Sequence, residues 1–207
     1  MKKNILILTC SSKHHGYCVA GIDLSTNKWI RLVSSPEVSH NEIPSSFMHY
    51  ANGMRCNPLD IATIDVIRFL PGKIQKENAL VNLTFTPVLQ GRVNSTNLFP
   101  YISDTMNIFG GTSYLLDYWG ARYFDYSLAM YLVENIQLKI LTHNGNEKFK
   151  VCFRYKENNY ENWSMTDPDF YSYDSGLLGD QAIIVVSIPE DNYNGNYYKF
   201  VSKIIII

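Results

Sequence analysis

Short runs of bulky, strand-forming residues, each closed by turn chemistry, are the feature that most limits what this chain can fold into. They come in two sets. "NILILT" (4–9), "YCVAGIDL" (17–24) and "WIRLV" (29–33) read as a β-meander. "SSKHHG" (11–16) reads as the loop joining the first two, and "STNK" (25–28) supplies turn chemistry between the second and third. "SPEVSHNEIPSSFMHYANG" is expected to open with a short helix, Ser35 as N-cap and Pro36 at its first position. "PLDIATIDVIRFLP" and "LVNLTFTPVL" then complete a five-strand unit. Residues 91–125 carry no clear period: "GRVNSTNLFPYISD" reads as loop, and "TSYLLDYWGARYF" as a short helix or an aromatic-rich excursion. Strands resume with "YSLAMYLVENIQLKILT". "HNGN" (143–146) is the expected hairpin turn across which "KFKVCFRYKE" pairs back. A turn around Pro168 precedes two late strands, "QAIIVVSIP" and "YYKFVSKIIII". Two such sets fit a mainly β protein with short helices, built as two small β-barrels rather than one sandwich. The expected division is 1–95 and 96–207, the second with an irregular or helical lead-in.

Composition narrows the class. With 46% hydrophobic and 18% charged residues in 207, the chain is globular. Four cysteines are too sparse for a secreted disulfide scaffold. The apolar run after Met1-Lys2-Lys3 stops too soon for a signal-peptide core, and no stretch reaches the roughly 20 apolar residues a membrane helix needs. A cytoplasmic protein with no membrane partner is the expectation. The net charge of −1 hides a polarity. Residues 1–34 carry Lys2, Lys3, Lys13, Lys28 and Arg31 against Asp23 alone, a net of +4. Residues 156–191 carry eight acids against Lys156, a net of −7. Such polarity can orient a polyanion, or it is a chance clustering of surface charge. Overall neutrality argues against strong nonspecific duplex binding.

Three constellations invite chemistry. Cys10, His14 and Cys18 are spaced four apart, but zinc wants four tetrahedral ligands in close pairs, and a fourth would have to come from distant Cys56, Cys152 or a carboxylate. Small cysteines on adjacent strands are the plainer reading, so no metal or cofactor is expected. Asp167 and Asp169 in "TDPDF" could hold a divalent ion or share a proton, while Asp before Pro is also ordinary turn chemistry. "FGGTS" lacks the lysine and spacing of a phosphate loop.

The long quoted blocks also carry a resemblance. "ILTCSSKHHGYCVAGIDLSTNKWIRLVS" is similar to the opening of the dual OB-containing domain family of bacteria and archaea. "YANGMRCNPLDIATIDV", "KIQKEN", "SLAMYLVENIQLKI", "FRYKENNYENWSMTDPDF" and "VVSIPEDNYNGNYYKFVSKII" follow in the same order. The chain departs from the family pattern at Cys10, His14 and His15. The resemblance implies two oligonucleotide/oligosaccharide-binding (OB) barrels in succession and nucleic-acid binding, with some members in defence-related contexts. It carries over no catalytic set.

OB-folds hold single strands in a groove where aromatics stack bases and cations track phosphates. Trp29 and Arg31 alternate on one strand and so share a face. Lys13, His14, His15 and Tyr17 could form its rim, and Arg154 and Lys156 would share a face of the second barrel, opposite Tyr155. These eight residues are the expected ligand-binding set: Lys13, His14, His15, Tyr17, Trp29, Arg31, Arg154 and Lys156. Against it stand packing for Trp29, an ion pair with Asp23 for Arg31, and a solvated loop tip for Lys13, His14 and His15. The expected function is non-catalytic binding of single-stranded nucleic acid or a nucleotide-like ligand. The alternative is a protein-interaction module in a defence system, its many tyrosines serving as anchors. A metal-dependent hydrolase using Asp167, Asp169 and the histidines is the third reading.

Overall fold

The computed structural model describes residues 1–13, 16–37, 41–143 and 145–207, with the His143 side chain excepted. Contacts divide the chain into two units, 1–97 and 98–207, each with its own core.

The first unit is built from β1 (Lys2–Lys13), β2 (Gly16–Asp23), β3 (Lys28–Val33), β4 (Ile43–Pro44), β5 (Asp60–Phe69), β6 (Asn78–Val81) and β7 (Val88–Arg92). Five of them close a ring in the order β1-β2-β3-β6-β5, because β1 pairs with both β2 and β5. Every junction is antiparallel except β3–β6, which is parallel. Alternation sends Ile5, Ile7, Val19, Ile30, Leu32, Ala62, Ile64, Val66, Ala79 and Val81 into the interior. A register shift between Ile7 and Thr9 lets β1 bend far enough to serve both neighbours.

The second unit repeats the topology with longer strands. It comprises β8 (Leu115–Leu116), α1 (Tyr118–Tyr123), β9 (Leu128–His143), β10 (Asn146–Tyr155), β11 (Asn158–Met165), β12 (Gly176–Ser187), β13 (Tyr197–Tyr198) and β14 (Phe200–Ile206). The ring β9-β10-β11-β14-β12 is closed, again with its third and fifth strands parallel. Its core is aromatic: Tyr131, Phe153, Tyr155, Tyr160 and Trp163 are all buried. Polar tips on buried rings need partners, and the lead-in segment supplies them. Tyr155 donates to the Thr105 carbonyl at 2.6 Å, Trp163 Nε1 to that of Thr112 at 3.3 Å, and Tyr160 and Tyr131 accept from the amides of Ile108 and Phe109. Residues 103–112 are thus strapped onto the barrel by side chain–backbone bonds rather than by any repeating pattern.

Two five-strand Greek-key barrels are what the sequence leads one to expect, and several local details differ. Ser11, Ser12 and Lys13 belong to β1 and Gly16 to β2, and the rest of the expected first loop, His14 and His15, lies outside the described residues. Of the helix expected after Ser35, Pro36 and Glu37 are not helical, the Ser35 hydroxyl accepting from the Glu37 amide, and residues 38–40 lie outside the described residues; a 3₁₀ turn forms at Ser45–Met48, after Pro44. The expected fifth strand straddles β6 and β7. The lead-in does contain the short helix, α1, N-capped by Asp117, which accepts from the Gly120 amide at 2.6 Å.

Candidate nucleic-acid interface

In an OB-fold the outer face of the second and third strands, with the loops beside it, is the ligand surface. The two barrels treat this face in opposite ways. On β2 and β3 the outward positions between those facing the core are Cys18, Ala20, Ile22, Trp29, Arg31 and Val33, and all but the half-buried Cys18 and Trp29 are buried. Arg31 Nε lies 3.2 Å from Glu77 Oε1, and its backbone amide donates to the Glu77 carbonyl at 3.0 Å. The arginine expected to pair with Asp23 therefore pairs with Glu77, while Asp23 holds Lys3 and Ser25. Tyr17 packs against the core cluster with the Arg55 guanidinium 4.8 Å over its ring. Lys13 donates to the side chain of Asn41. His14 and His15 lie outside the described residues.

Cys10 and Cys18 face opposite sides of β1–β2. Cys10 pairs with Val19 and points into the core, whereas Cys18, one residue before Val19, points outward. The two thiols cannot share a ligand or a disulfide in that register. Among the described residues no three His, Cys, Asp or Glu side chains are grouped as a metal site. Asp167 and Asp169 share the Lys203 ammonium, and Asp167 also accepts the Ile204 amide at 2.9 Å. Burial pushes the Asp167 carboxyl above the usual range, against the pull of Lys203 and that amide. "TDPDF" is in this structure a turn pinned to β14.

The matching face of the second barrel is open and polar. Val151, Phe153 and Tyr155 point inward along β10, so Lys148, Lys150, Cys152 and Arg154 point outward at every second position. Such positions repeat at about 6.6 Å. The hairpin register sets Lys150 directly opposite Lys139 and Cys152 opposite Gln137. Like charges facing each other across a ladder are destabilising. None of Lys139, Lys148 and Lys150 joins an ion pair among the described residues; Lys150 donates to Ser164 Oγ at 2.7 Å on β11. Partial burial, together with Lys148, holds the Lys150 ammonium below the ordinary lysine range. Beyond them a shallow groove of about 220 Å³ is lined by Asn135, Gln137, Lys139, Cys152, Arg154 and Asn159, among others. Arg154 is tied to Glu134 at its edge. Lys156 leaves this face: it sits in the β10–β11 turn with φ 53° and pairs with Asp104 at 2.7 Å.

Of the expected set, then, Arg154 lies on this surface, together with Lys139, Lys148 and Lys150, which lie outside that set. The signal was present in "QLKILTHNGNEKFKV", since folding that stretch at its own turn brings the three lysines together.

Two closed Greek-key barrels of one topology, one with an open polar face, define a protein of the OB class, a binding module. The chain belongs to the dual OB-containing domain family, whose model matches residues 3–204 of 207. Comparison with curated proteins and with solved structures returned no match. No described helix is long and apolar enough to cross a membrane.

Proposed function

We propose that the chain binds single-stranded nucleic acid, without chemistry of its own, along the outer face of β9, β10 and β11. The observation that supports this best is the facing pair Lys139 and Lys150 with Lys148 beside it. Among the described residues none of these three ammoniums joins an ion pair, although Glu161 lines the adjoining groove, and a polyanion would relieve their mutual repulsion. Their two-residue spacing suits successive phosphates of an extended backbone, and Gln137 and Asn159 continue the track, with Arg154 held at its edge by Glu134. The first-barrel residues Lys13, Tyr17, Trp29 and Arg31 contribute less, because three of them are already engaged with Asn41, Arg55 and Glu77.

Fluorescence anisotropy with a labelled mixed-sequence single strand, from low to physiological salt, tests this. Binding is expected to weaken linearly in log salt, with a slope of about 0.7 per phosphate engaged. Lys139→Gln with Lys150→Gln should flatten that slope by about 1.4, whereas Lys13→Ala and Arg31→Ala should leave it nearly unchanged. No binding at low salt rejects the proposal. It would favour the second reading, a protein-docking module, which one observation supports: α1 presents Trp119 and Tyr123 at 73% and 83% exposure.

A further inference from the structure

Four aromatic rings stand at the β11–β14 side of the lysine track, outside the barrel core. Phe200 sits opposite Ser164 on the parallel β11–β14 junction and so shares the outward face with it. Its ring centroid lies 6.2 Å from that of Tyr198, which lies 6.1 Å from Tyr114 at an interplanar angle of 24° and 6.3 Å from Tyr193. Tyr198 and Tyr114 come from the β13–β8 ribbon and the residue just before it, where Tyr198 pairs with Leu115. The ribbon is anchored by the Lys199 amide, which donates to the Tyr114 carbonyl at 2.8 Å. Tyr193 is 68% exposed and Tyr114 38%, while Tyr198 and Phe200 are half-buried. The Lys150 ammonium, bonded to Ser164, lies 6.0 Å from the Tyr114 ring centroid. A cation of the track and the edge of the aromatic cluster are therefore one surface.

Exposed tyrosines gathered around a fixed ribbon are costly to leave in water, and a flat π-faced ligand covers them well. We infer that the cluster Tyr114, Tyr193, Tyr198 and Phe200 is a nucleobase-stacking subsite, taking one or two unpaired bases of the strand whose phosphates lie on Lys148, Lys150 and Lys139. The inference rests on the binding proposed above and adds the ligand class: unpaired bases, not the phosphate backbone alone. A duplex, whose bases are already stacked, cannot use it.

The test compares three labelled probes on the full chain: a twelve-nucleotide oligothymidylate and a twelve-unit abasic strand of equal phosphate number, and a twelve-base-pair duplex, which carries twice as many. The oligothymidylate is expected to bind at least about fivefold tighter than the abasic strand, the low end of what stacking of a single base supplies. In Tyr114→Leu with Tyr198→Leu, which keeps apolar bulk on the ribbon, that gap should close while the salt slope stays at the wild-type value. Near-ultraviolet circular dichroism and a urea melt of the variant establish that the barrel is intact. Equal affinity of the wild type for oligothymidylate and abasic strand, with a normal salt slope, overturns the stacking subsite and leaves the lysine track standing. Absence of salt-dependent binding to all three probes overturns both.

Discussion

Lys199 shows what a single residue contributes to this barrel. It is 1% exposed and has no carboxylate partner among the described residues; its ammonium donates to the carbonyls of Ile108 at 2.8 Å and Gly111 at 3.0 Å, 5.3 Å from the Trp163 ring. Burial lowers its pKa to about 8 from 10.5. Between those values the unfolded chain holds a proton that the folded chain has released, so folding stability rises with pH from about 8 to 10.5. An opposing slope sets in above about pH 9, where the Cys56 thiol, lifted by burial to about 11 from 9.0, keeps a proton the unfolded state loses, and it steepens near pH 10 as Tyr131, lifted to about 12, and Tyr160 join it. Urea midpoints from pH 7 to 9 should therefore rise by the equivalent of about 1 kcal/mol in the wild type. In Lys199→Met the rise should vanish, whatever the variant's absolute stability; an unchanged rise would show that another group is responsible. The sequence marks Lys199 only as a polar residue near a final strand. Its burial depends on the lead-in carbonyls, which no local pattern announces.

The elements were legible wherever period and turn chemistry agree. β9 and β10 could be read from alternation and "HNGN", and the lysine track follows once the hairpin is folded at that turn. Arg154 and Lys156 looked equivalent because the sequence alone does not say where β10 ends; Lys156 adopts positive φ and belongs to the turn. The tyrosines misled in a different way. Tyr131, Tyr155 and Tyr160 serve the barrel core with their hydroxyls turned to the lead-in, so the proposed recognition rests on outer rings such as the four-ring cluster instead. Glycine gives the sharpest element-scale prediction. At Gly21 in β2, a Cβ would stand 2.0 Å from the Leu6 carbonyl oxygen, where β1 approaches its register shift. At Gly91 in β7 it would meet nothing within 4 Å. Gly21→Ala should therefore cost about 2–4 kcal/mol, because backbone must move. Gly91→Ala should fall within about 0.5 kcal/mol of wild type. Equilibrium urea unfolding measures both, and equal effects would contradict the close approach at Gly21.

At the scale of the whole molecule, the charge polarity visible along the sequence persists in the two units: residues 1–97 carry ten Lys and Arg against six acids, residues 98–207 eight against thirteen. Ion pairs trim it only locally, Lys3 being taken by Asp23 and Arg31 by Glu77, while Asp167 and Asp169 share Lys203. The surface proposed for a polyanion is local, on one face of the second barrel, and that barrel depends on its lead-in. Residues 103–112 satisfy Tyr155, Tyr160, Tyr131, Trp163 and Lys199, five polar tips that would otherwise be left with fewer partners at the barrel mouth. An unmet buried hydrogen-bonding group costs about 1–3 kcal/mol, which over five groups matches the 5–15 kcal/mol that holds a domain folded. Residues 98–207 expressed alone are expected to unfold cooperatively and to bind the single-stranded probe within about twofold of the full chain. Residues 126–207 retain every strand of the ring but lose the strap, and should show strand-like far-ultraviolet dichroism without fixed aromatic signals, with exposed apolar surface that binds dye. If 126–207 melts as sharply as 98–207, the lead-in is only a linker and the aromatic core stands without it.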